Sequence, residues 1–405
     1  MANRLLPLRW CLLPFFSKSF LPRRRSRKRP SVVVGTVPGT LVEREGVARG
    51  KIRVIQYERR SHTDQTVNSV DQLDDLIGEA KVKPRRVEPD NVAGVETSKP
   101  KMTNSRPVTW INIDGVGDVT TLKELAKRFD IHPLALEDAA NVYQHAKLEC
   151  YGESLFFVVR MPTGNQQFET EQVSIFLLDD VVITIQEKPG DCFDGLRNRI
   201  SNSLGRIRSR GADYLTYAII DAVVDSYFPV LERYGVELDE ISHRLEGTES
   251  RSLPLHLHEI RADLLSIRKT VNQHHKAIND LVREGEGFIA ADTSFYFRDC
   301  QDHLQRLMEA ADTDRETCGE LRELYFAILG EKNNDVSKVL TIIATVFMPI
   351  GAVAGVYGMN FDSNISQFNM PELSWAFGYP FALLLMASMA GSLLTYLYLK
   401  GWLTH

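Results

Sequence analysis

The most regular set of small and polar residues lies near the C-terminal end of the chain. These residues recur every three or four positions, which places them on one stripe of a helix. The stripe comprises Asn334, Ser337, Thr341, Ala344 or Thr345, Met348, Gly351 or Ala352, and Gly355. Such a face could pack closely against another membrane helix, as a G-x-x-x-G pair does, or it could line a pore. In a ring of identical helices it would do both.

The stripe is followed by the sequence Gly358-Met359-Asn360. Glycine can leave a helix with little steric penalty and lets neighbouring backbones approach, and the asparagine then presents a neutral amide. Mg²⁺ gives up its water ligands reluctantly. A ring of amides would hydrogen bond those waters without holding the ion too long, as conduction requires. This ending therefore indicates the mouth of a path for a hydrated divalent cation.

Two uncharged segments, Val339–Gly358 and Tyr379–Leu399, must position these residues. A helix needs about 20 apolar residues to cross a bilayer, and both segments are long enough. Buried core helices are the alternative, but core helices are seldom apolar on all sides. Lys332, Lys338 and Lys400 flank the segments, whereas the loop between them has no Lys or Arg. We therefore expect two membrane spans with both termini in the cytoplasm.

The rest of the chain divides into a mixed α/β part and a helical part. Short apolar runs between residues 35 and 186 have strand length and composition. Residues 196–284 read as helices, broken into an antiparallel pair at 247–254. A third helix starts near Phe295, meets no proline before the membrane, and would be a rod of about 60 residues. Such a rod needs partner helices, so the sequence predicts an oligomer.

The fold class expected is an α+β membrane protein, and its divisions follow from these changes in composition. They are a basic leader (1–34), an α/β domain (35–195) with a flexible insert (81–104), a paired-helix arm (196–290), a stalk helix (291–338), a first span (339–358), an external loop (359–378), a second span (379–399) and a cytoplasmic tail (400–405). The leader holds nine Lys or Arg and no acid within residues 1–30. It reads as a disordered basic tail, or alternatively as a mitochondrial transit peptide.

Several functional classes are disfavoured by composition and motifs. The formal net charge is −5, which does not suggest a nucleic-acid partner. The phosphate-binding, nucleophile-elbow and H-E-x-x-H signatures are missing, so no enzyme or organic substrate is expected. The five cysteines form no C-x-x-C pair, which argues against a zinc knuckle and against a disulfide framework. "HLHE" at His256 and "QHHK" at Gln273 could bind a metal, but surface histidines on helices usually do not.

Longer stretches resemble the CorA family of magnesium transporters. The matching segments include "IHPLALEDAANVYQHAKLE", "EQVSIFL", "FDGLRNRI", "GADYLTYAIIDAVVDSYF", "YFRDCQDH", "NNDVSKVLTIIATVFMPIGAVAGVYGMNF" and "MPELSWAFGYP". Together they span about residues 35–399. The resemblance implies a funnel-shaped homopentamer with a cytosolic αβα domain, a long stalk helix that continues into the inner pore helix, and an outer second span.

The resemblance also implies roles for individual residues. Asn360 would form the selectivity ring and Asn334 a lower ring of the pore. Regulatory magnesium sites would lie between neighbouring cytosolic domains. One would join Asp138 to Glu323 across the interface, and a second set would be Glu137, Asp225 and Asp299. Acids facing each other across an interface repel until a divalent ion bridges them.

Two positions depart from the family pattern. Ser337 stands where a bulky apolar constriction residue is common, and Gly351 where a threonine often lines the pore. The external loop is also longer, and the cytoplasmic tail has only Lys400 where many relatives have a basic cluster. These differences concern the tightness of the gate and the preference among ions.

The function expected is a divalent-cation channel for Mg²⁺ influx, driven by the membrane potential and closed by cytosolic Mg²⁺. Mg²⁺ would be both transported and regulatory, with Co²⁺, Ni²⁺ or Zn²⁺ as further ions. The alternatives are a Zn²⁺ or Co²⁺ transporter on the same scaffold and a membrane-tethered metal sensor without flux. The bilayer expected is the bacterial inner membrane, with the mitochondrial inner membrane as the alternative.

Overall fold

A computed structural model describes residues 39, 41, 51–67, 69–77, 107–164, 167–245, 252–285, 287–361, 365–366 and 368–402. The basic leader (1–34) and the insert (81–104) lie outside these residues, so the structure does not test what the sequence predicts for them. The described part contains a seven-stranded sheet, helices on both of its faces, and two long apolar helices at the C-terminal end.

The sheet has the strand order β2-β1-β3-β7-β6-β5-β4. The strands are β1 (Lys51–Tyr57), β2 (His62–Val67), β3 (Val108–Asp114), β4 (Lys147–Tyr151), β5 (Ser154–Thr163), β6 (Glu169–Leu177) and β7 (Val181–Gln186). β3 and β7 are parallel, and the other neighbours are antiparallel. The sequence predicts strands at five apolar runs, KIRVIQY, VTWINID, SLFFVVRM, VSIFLLDD and VVITIQEK, and each of these runs falls on a strand, namely β1, β3, β5, β6 and β7. The two strands that the sequence missed, β2 and β4, are the polar edges of the sheet.

Three helices cover one face of the sheet: α1 (Asp71–Ile77), α2 (Val119–Phe129) and α3 (Pro133–Ala140). Alternate strand residues such as Ile111, Phe156 and Ile183 form a core with them. The carboxylate of Asp118 caps α2 by accepting hydrogen bonds from the backbone N–H of Thr120 and Thr121. Proline at the first position of α3 fits a helix start, because that N–H has no helical acceptor.

The other face carries the helical part of the chain. Its helices are α4 (Asp194–Ser201), α5 (Ala212–Asp225), α6 (Phe228–Arg244), α7 (Leu253–Glu284) and α8 (Ala291–Tyr357). The continuous helix predicted from Leu196 is wrong, because the chain leaves α4 through Ser203 and Gly205, which both have positive φ. A second interruption separates α5 from α6, whose first turn contains Pro229.

The long helices run antiparallel to one another. Tyr234 on α6 donates a hydrogen bond to Asp263 on α7 (3.0 Å), and His256 lies 2.8 Å from Glu237. Residue numbers therefore rise on one helix as they fall on the other. α7 and α8 are antiparallel as well. Arg268 on α7 pairs with Asp312 on α8 (2.7 Å), and farther along α7 Asn279 contacts Gln301, which lies earlier on α8. α6 and α7 are thus the antiparallel pair that the sequence predicts.

α8 is a single helix of 67 residues, about 100 Å long at 1.5 Å per residue. It begins at Ala291, four residues before Phe295, and continues through Gly319, Gly330 and Pro349. One side of its first turns is buried against the domain, through residues such as Phe297 and Cys300, whereas its last turns are mostly exposed. Membrane helices tolerate an internal proline because neighbouring groups can satisfy the freed carbonyl.

Among the described residues, three helical stretches are long and apolar enough to cross a membrane. In the stretch Ala212–Arg244, 61% of the most apolar segment is buried inside the protein, so these apolar side chains belong to the protein core. The windows in α8 and in α9 (Gly378–Leu399) are only 6% and 11% buried. Their apolar side chains need another environment, and these two helices contain the segments that the sequence predicts as spans.

Candidate ion pathway and cation-sensing sites

The stripe on α8 lies on the side of the helix opposite α9. α8 packs against α9, and on that side Val346 is 9% exposed while Ile342 and Val353 are half-buried. At 3.6 residues per turn, the stripe is centred about 140° around the helix from these residues. The second span therefore leaves the stripe uncovered.

Within one subunit the stripe contacts little. Asn334, Ser337 and Thr341 are exposed, and Met348 is 72% exposed. The Thr341 hydroxyl donates to the backbone oxygen of Ser337 at 2.8 Å, so it is directed back along its own helix. Apolar residues flank this surface, and Phe347 beside it is 65% exposed. A face of this kind is suited to meeting other copies of α8 and a water-filled space.

The glycines of the stripe are not required by packing inside the subunit. A Cβ placed on Gly351 or on Gly355 would meet no atom within 4 Å. Gly358 differs, since a Cβ there would lie 3.2 Å from the carbonyl oxygen of Ala354. Its φ is −81°, an ordinary helical value. The expectation that Gly358 uses its conformational freedom to leave the helix is therefore wrong, because the backbone of this residue is still helical.

Asn360 follows the end of α8 and is exposed together with Met359. The backbone N–H of Met359 still bonds to the carbonyl of Val356 (3.2 Å), which holds the chain in a last helical turn. No described residue hydrogen bonds to the Asn360 amide.

The segment that leads into α9 has a close backbone contact that the sequence analysis missed. A Cβ on Gly378 would overlap the carbonyl oxygen of Glu372, which lies in a short 3-10 turn, Pro371–Ser374. Trp375 packs its ring against Phe377 and Phe381 just beyond this turn. In the sequence, the only sign of this contact is Gly378 itself, a glycine at the first position of an apolar helix.

Asp138 is located on α3 and is engaged by its own chain. Its two carboxylate oxygens accept hydrogen bonds from Gln144 Nε2 at 2.6 Å and from Lys147 Nζ at 2.5 Å. Lys147 also donates to Glu149 Oε1 at 2.9 Å. Glu323 is exposed on α8, and no contact joins it to Asp138 among the described residues. A site made of these two acids would need a neighbouring subunit.

The second predicted set is divided between two places. Glu137 Oε2 accepts a hydrogen bond from the backbone of Gly39 at 2.6 Å, on the face of the sheet that α3 covers. Asp225 on α5 and Asp299 on α8 lie on the other face, where His303 is 3.6 Å from Asp225 Oδ1 and 3.9 Å from Asp299 Oδ2. One chain therefore brings Asp225 and Asp299 together but does not bring Glu137 to them.

Asp221 and His303 complete the cluster on that face, and the sequence analysis did not select them. Ligand atoms of Asp221, Asp225 and His303 all lie within 4.8 Å of one another. Burial, and then the nearby charge of Asp225, raise the pKa of Asp221 to about 6. The signal was the i, i+4 spacing of Asp221 with Asp225 and of Asp299 with His303, which aligns each pair on one helix face.

His274, from the sequence "QHHK", is not a metal ligand. It is fully buried, and its Nε2 accepts a hydrogen bond from the backbone N–H of Arg160 at 2.8 Å. Burial, and then the charge of Arg160, lower its pKa to about 3, so the ring is neutral. His256, from "HLHE", contacts Glu237 beside a cavity of about 350 Å³ at the end of the arm.

A family model and related sequences both point to one family of metal ion transporters. The sequence model of the CorA-like Mg²⁺ transporter protein family matches residues 106–400. The chain is 38% identical over 312 residues to the cobalt/magnesium transport protein CorA of Thermotoga maritima, covering 76% of this chain and 87% of that protein. It is 32% identical over 295 residues to the putative metal ion transporter YfjQ of Bacillus subtilis, covering 72% and 89%.

Solved structures show the same fold at low sequence identity. The complete structure of the CorA magnesium transporter from Methanocaldococcus jannaschii is similar with a TM-score of 0.68 and 17% identity, covering 87% of this chain and 98% of that one. The ZntB cytoplasmic domain from Vibrio parahaemolyticus is similar with a TM-score of 0.50 and 12% identity, covering 69% and 99%. At these identities the likeness concerns the fold alone.

Proposed function

The chain belongs to the CorA-like Mg²⁺ transporter family, and from this premise we propose that it forms a homopentameric channel for Mg²⁺ influx across the bacterial inner membrane. The observation that carries the proposal is the stripe on α8, which α9 leaves uncovered and which ends beside the exposed amide of Asn360. The names of the relatives add cobalt as a second ion of this class.

In the proposed assembly, five copies of α8 surround the pore with their stripes directed inward, and α9 lies outside. Asn360 forms the outer ring of amides that receives the hydrated ion, and Asn334 forms a lower ring. The long, exposed side chain of Met348 narrows the closed pore between them. The inside-negative potential drives influx with about 4.6 kcal/mol per Mg²⁺ at 100 mV, because each elementary charge contributes about 2.3 kcal/mol.

Cytosolic Mg²⁺ closes the channel in this proposal. One regulatory site joins Asp138 to Glu323 of a neighbouring subunit, and another contains Asp225 and Asp299, with Glu137 supplied by the neighbour. Carboxylate oxygens are the ligands that Mg²⁺ prefers. Both termini would lie in the cytoplasm, on the side of these sites.

A cobalt or zinc transporter on the same scaffold is the second candidate. The imidazole of His303 beside Asp221 and Asp225 favours it, because nitrogen ligands suit transition metals better than Mg²⁺. Against it, the stripe has no His or Cys to receive such an ion on its path.

The test of the selectivity ring is the substitution Asn360→Ala in liposomes that contain only this protein. We expect Mg²⁺ flux to be nearly abolished while the oligomer stays assembled, because the amide is exposed and forms no hydrogen bond with a described residue. Asn369→Ala, another amide in the external loop, is the matched control and should conduct normally. Wild-type flux through an assembled Asn360→Ala oligomer would rule out the assignment, and a preference for Co²⁺ or Zn²⁺ over Mg²⁺ would favour the second candidate.

The test of the sensor is the double substitution Asp138→Asn with Glu323→Gln. Moving a gate from 1:99 to 99:1 takes about 5.5 kcal/mol of differential binding, which five interfaces can supply at about 1 kcal/mol each. The double variant should conduct but no longer close with Mg²⁺, and Mg²⁺ should protect α8 less from protease. If it closes at the wild-type concentration, the sensor is at the cluster of Asp225 and Asp299 instead.

A further inference from the structure

Lys147 lies at the start of β4 with its ammonium between two carboxylates. Nζ is 2.5 Å from Asp138 Oδ2 and 2.9 Å from Glu149 Oε1. It also lies 5.9 Å from the centre of the Phe156 ring. The Lys147 and Asp138 side chains are only 26% and 20% exposed. This lysine is therefore a fixed part of the site and not a mobile surface charge.

The second oxygen of Asp138 is also occupied by a fixed donor. Gln144 Nε2 bonds to it at 2.6 Å, and the backbone N–H of Gln144 is held by Gln172 Oε1 at 3.1 Å. Gln172 in turn donates to the backbone oxygen of Asp138 at 2.8 Å. The loop between α3 and β4 is thus built so that internal donors use both carboxylate oxygens. A cation that binds Asp138 directly has to compete with these donors, above all with the like-charged ammonium of Lys147.

Of the two donors to Asp138, Lys147 can leave this carboxylate and still keep a partner, because it also donates to Glu149. Lys147 is an ammonium at neutral pH, and it pairs with both Asp138 and Glu149. Glu149 can keep that ammonium when Asp138 is taken by an ion, and the Tyr151 hydroxyl fixes Glu149 Oε2 at 2.9 Å. Two carboxylates share one ammonium, which leaves a net negative charge to attract a cation.

We propose that Lys147 sets the Mg²⁺ concentration at which the channel closes, because its ammonium and the divalent ion compete for the same oxygen of Asp138. This inference rests on the proposed regulatory role of Asp138. At low Mg²⁺ the lysine holds the carboxylate and the subunits are not bridged. As Mg²⁺ rises, the ion takes Asp138 and the ammonium shifts fully to Glu149. The lysine thereby keeps the sensor from responding to Mg²⁺ that is too dilute.

The test uses the full chain in liposomes and Mg²⁺ itself as the ligand. The Mg²⁺ concentration for half-maximal closure is measured by flux, and that for half-maximal protection of α8 is measured by proteolysis. For Lys147→Met we expect both concentrations to be about five-fold lower, since a partly buried ion pair contributes about 1 kcal/mol. Lys147→Arg keeps the charge and should stay near the wild-type value. Lys123→Met, which removes an exposed lysine from α2, should have no effect.

A second variant has the opposite expected sign. Glu149→Gln removes the alternative partner, so Lys147 should hold Asp138 more tightly and the closing concentration should rise. This variant decides the matter even if Lys147→Met fails to assemble. An unchanged or higher closing concentration in assembled Lys147→Met would overturn the inference and make Lys147 a positioning residue for Asp138. If the wild-type channel does not close with Mg²⁺ at all, the proposed regulation fails first and the inference falls with it.

Discussion

Glu171→Gln provides a quantitative test of the electrostatics inside the α/β domain. Glu171 lies on β6, is 3% exposed, and lines a cavity of about 360 Å³ beside Lys188 and Asp191. No described residue hydrogen bonds to its carboxylate. Burial, and then the charge of Glu187, raise its pKa from 4.5 to about 7. The folded protein therefore keeps this carboxyl protonated at pH values where the unfolded chain ionises it.

The sign and size of the effect follow from proton linkage. Between pH 4.5 and about 7 the folded state binds more protons at Glu171 than the unfolded state, so the free energy of unfolding falls as the pH rises. The interval is about 2.5 pH units, and each unit corresponds to 1.36 kcal/mol, which gives a full penalty of about 3 kcal/mol at pH 8. Glutamine has a similar shape and no charge, so it removes this penalty. The gain in stability on substitution should thus be about 2 to 3 kcal/mol larger at pH 8 than at pH 5.

Denaturant unfolding of the chain in detergent, followed by the fluorescence of the buried Trp110 in β3, measures this difference. Comparing two pH values cancels any pH-independent effect of the amide on packing. Glu153→Gln, in the exposed turn between β4 and β5, is the control and should give the same small change at both pH values. An equal effect of Glu171→Gln at pH 5 and pH 8 would refute the view that the fold holds this carboxyl protonated.

Two further substitutions test contacts that shape the loop and the sheet. Gly378→Ala should lower the thermal stability and yield of the assembled protein, because the added Cβ would overlap a backbone carbonyl; Gly391→Ala in the same helix meets nothing within 4 Å and should be harmless. Asp191→Asn should cost about 3 to 5 kcal/mol in denaturant unfolding, because it leaves the largely buried guanidinium of Arg197 without its main partner. Asp194→Asn, whose side chain is 91% exposed beside the same arginine, should cost under about 1 kcal/mol; equal losses for the two Asp variants would contradict this account.

The sequence predicted the elements whose signal is hydrophobic and missed those whose signal is polar. Five strands have apolar runs because most of their side chains are buried, and these were identified. β2 (His62–Val67) and β4 (Lys147–Tyr151) are edge strands, the first mostly exposed and the second mostly half-buried, so they lack such a run. The break near Gly205 was missed for a related reason, since it depends on backbone conformation and the flanking residues keep a helical pattern.

The candidate sites were predictable to the extent that they lie along one helix. The stripe of α8 follows from spacing alone, because a helix converts a period of three or four residues into a single face. Asp138 shows the limit of this reasoning. In the sequence it is an acid expected to repel other acids, whereas in the fold β4 brings Lys147 against it from nine positions away. Under the proposed regulation, sensing of Mg²⁺ at Asp138 would be an exchange of one cation for another. Such an exchange has a threshold set by the affinity of the lysine, which simple repulsion between carboxylates would not provide.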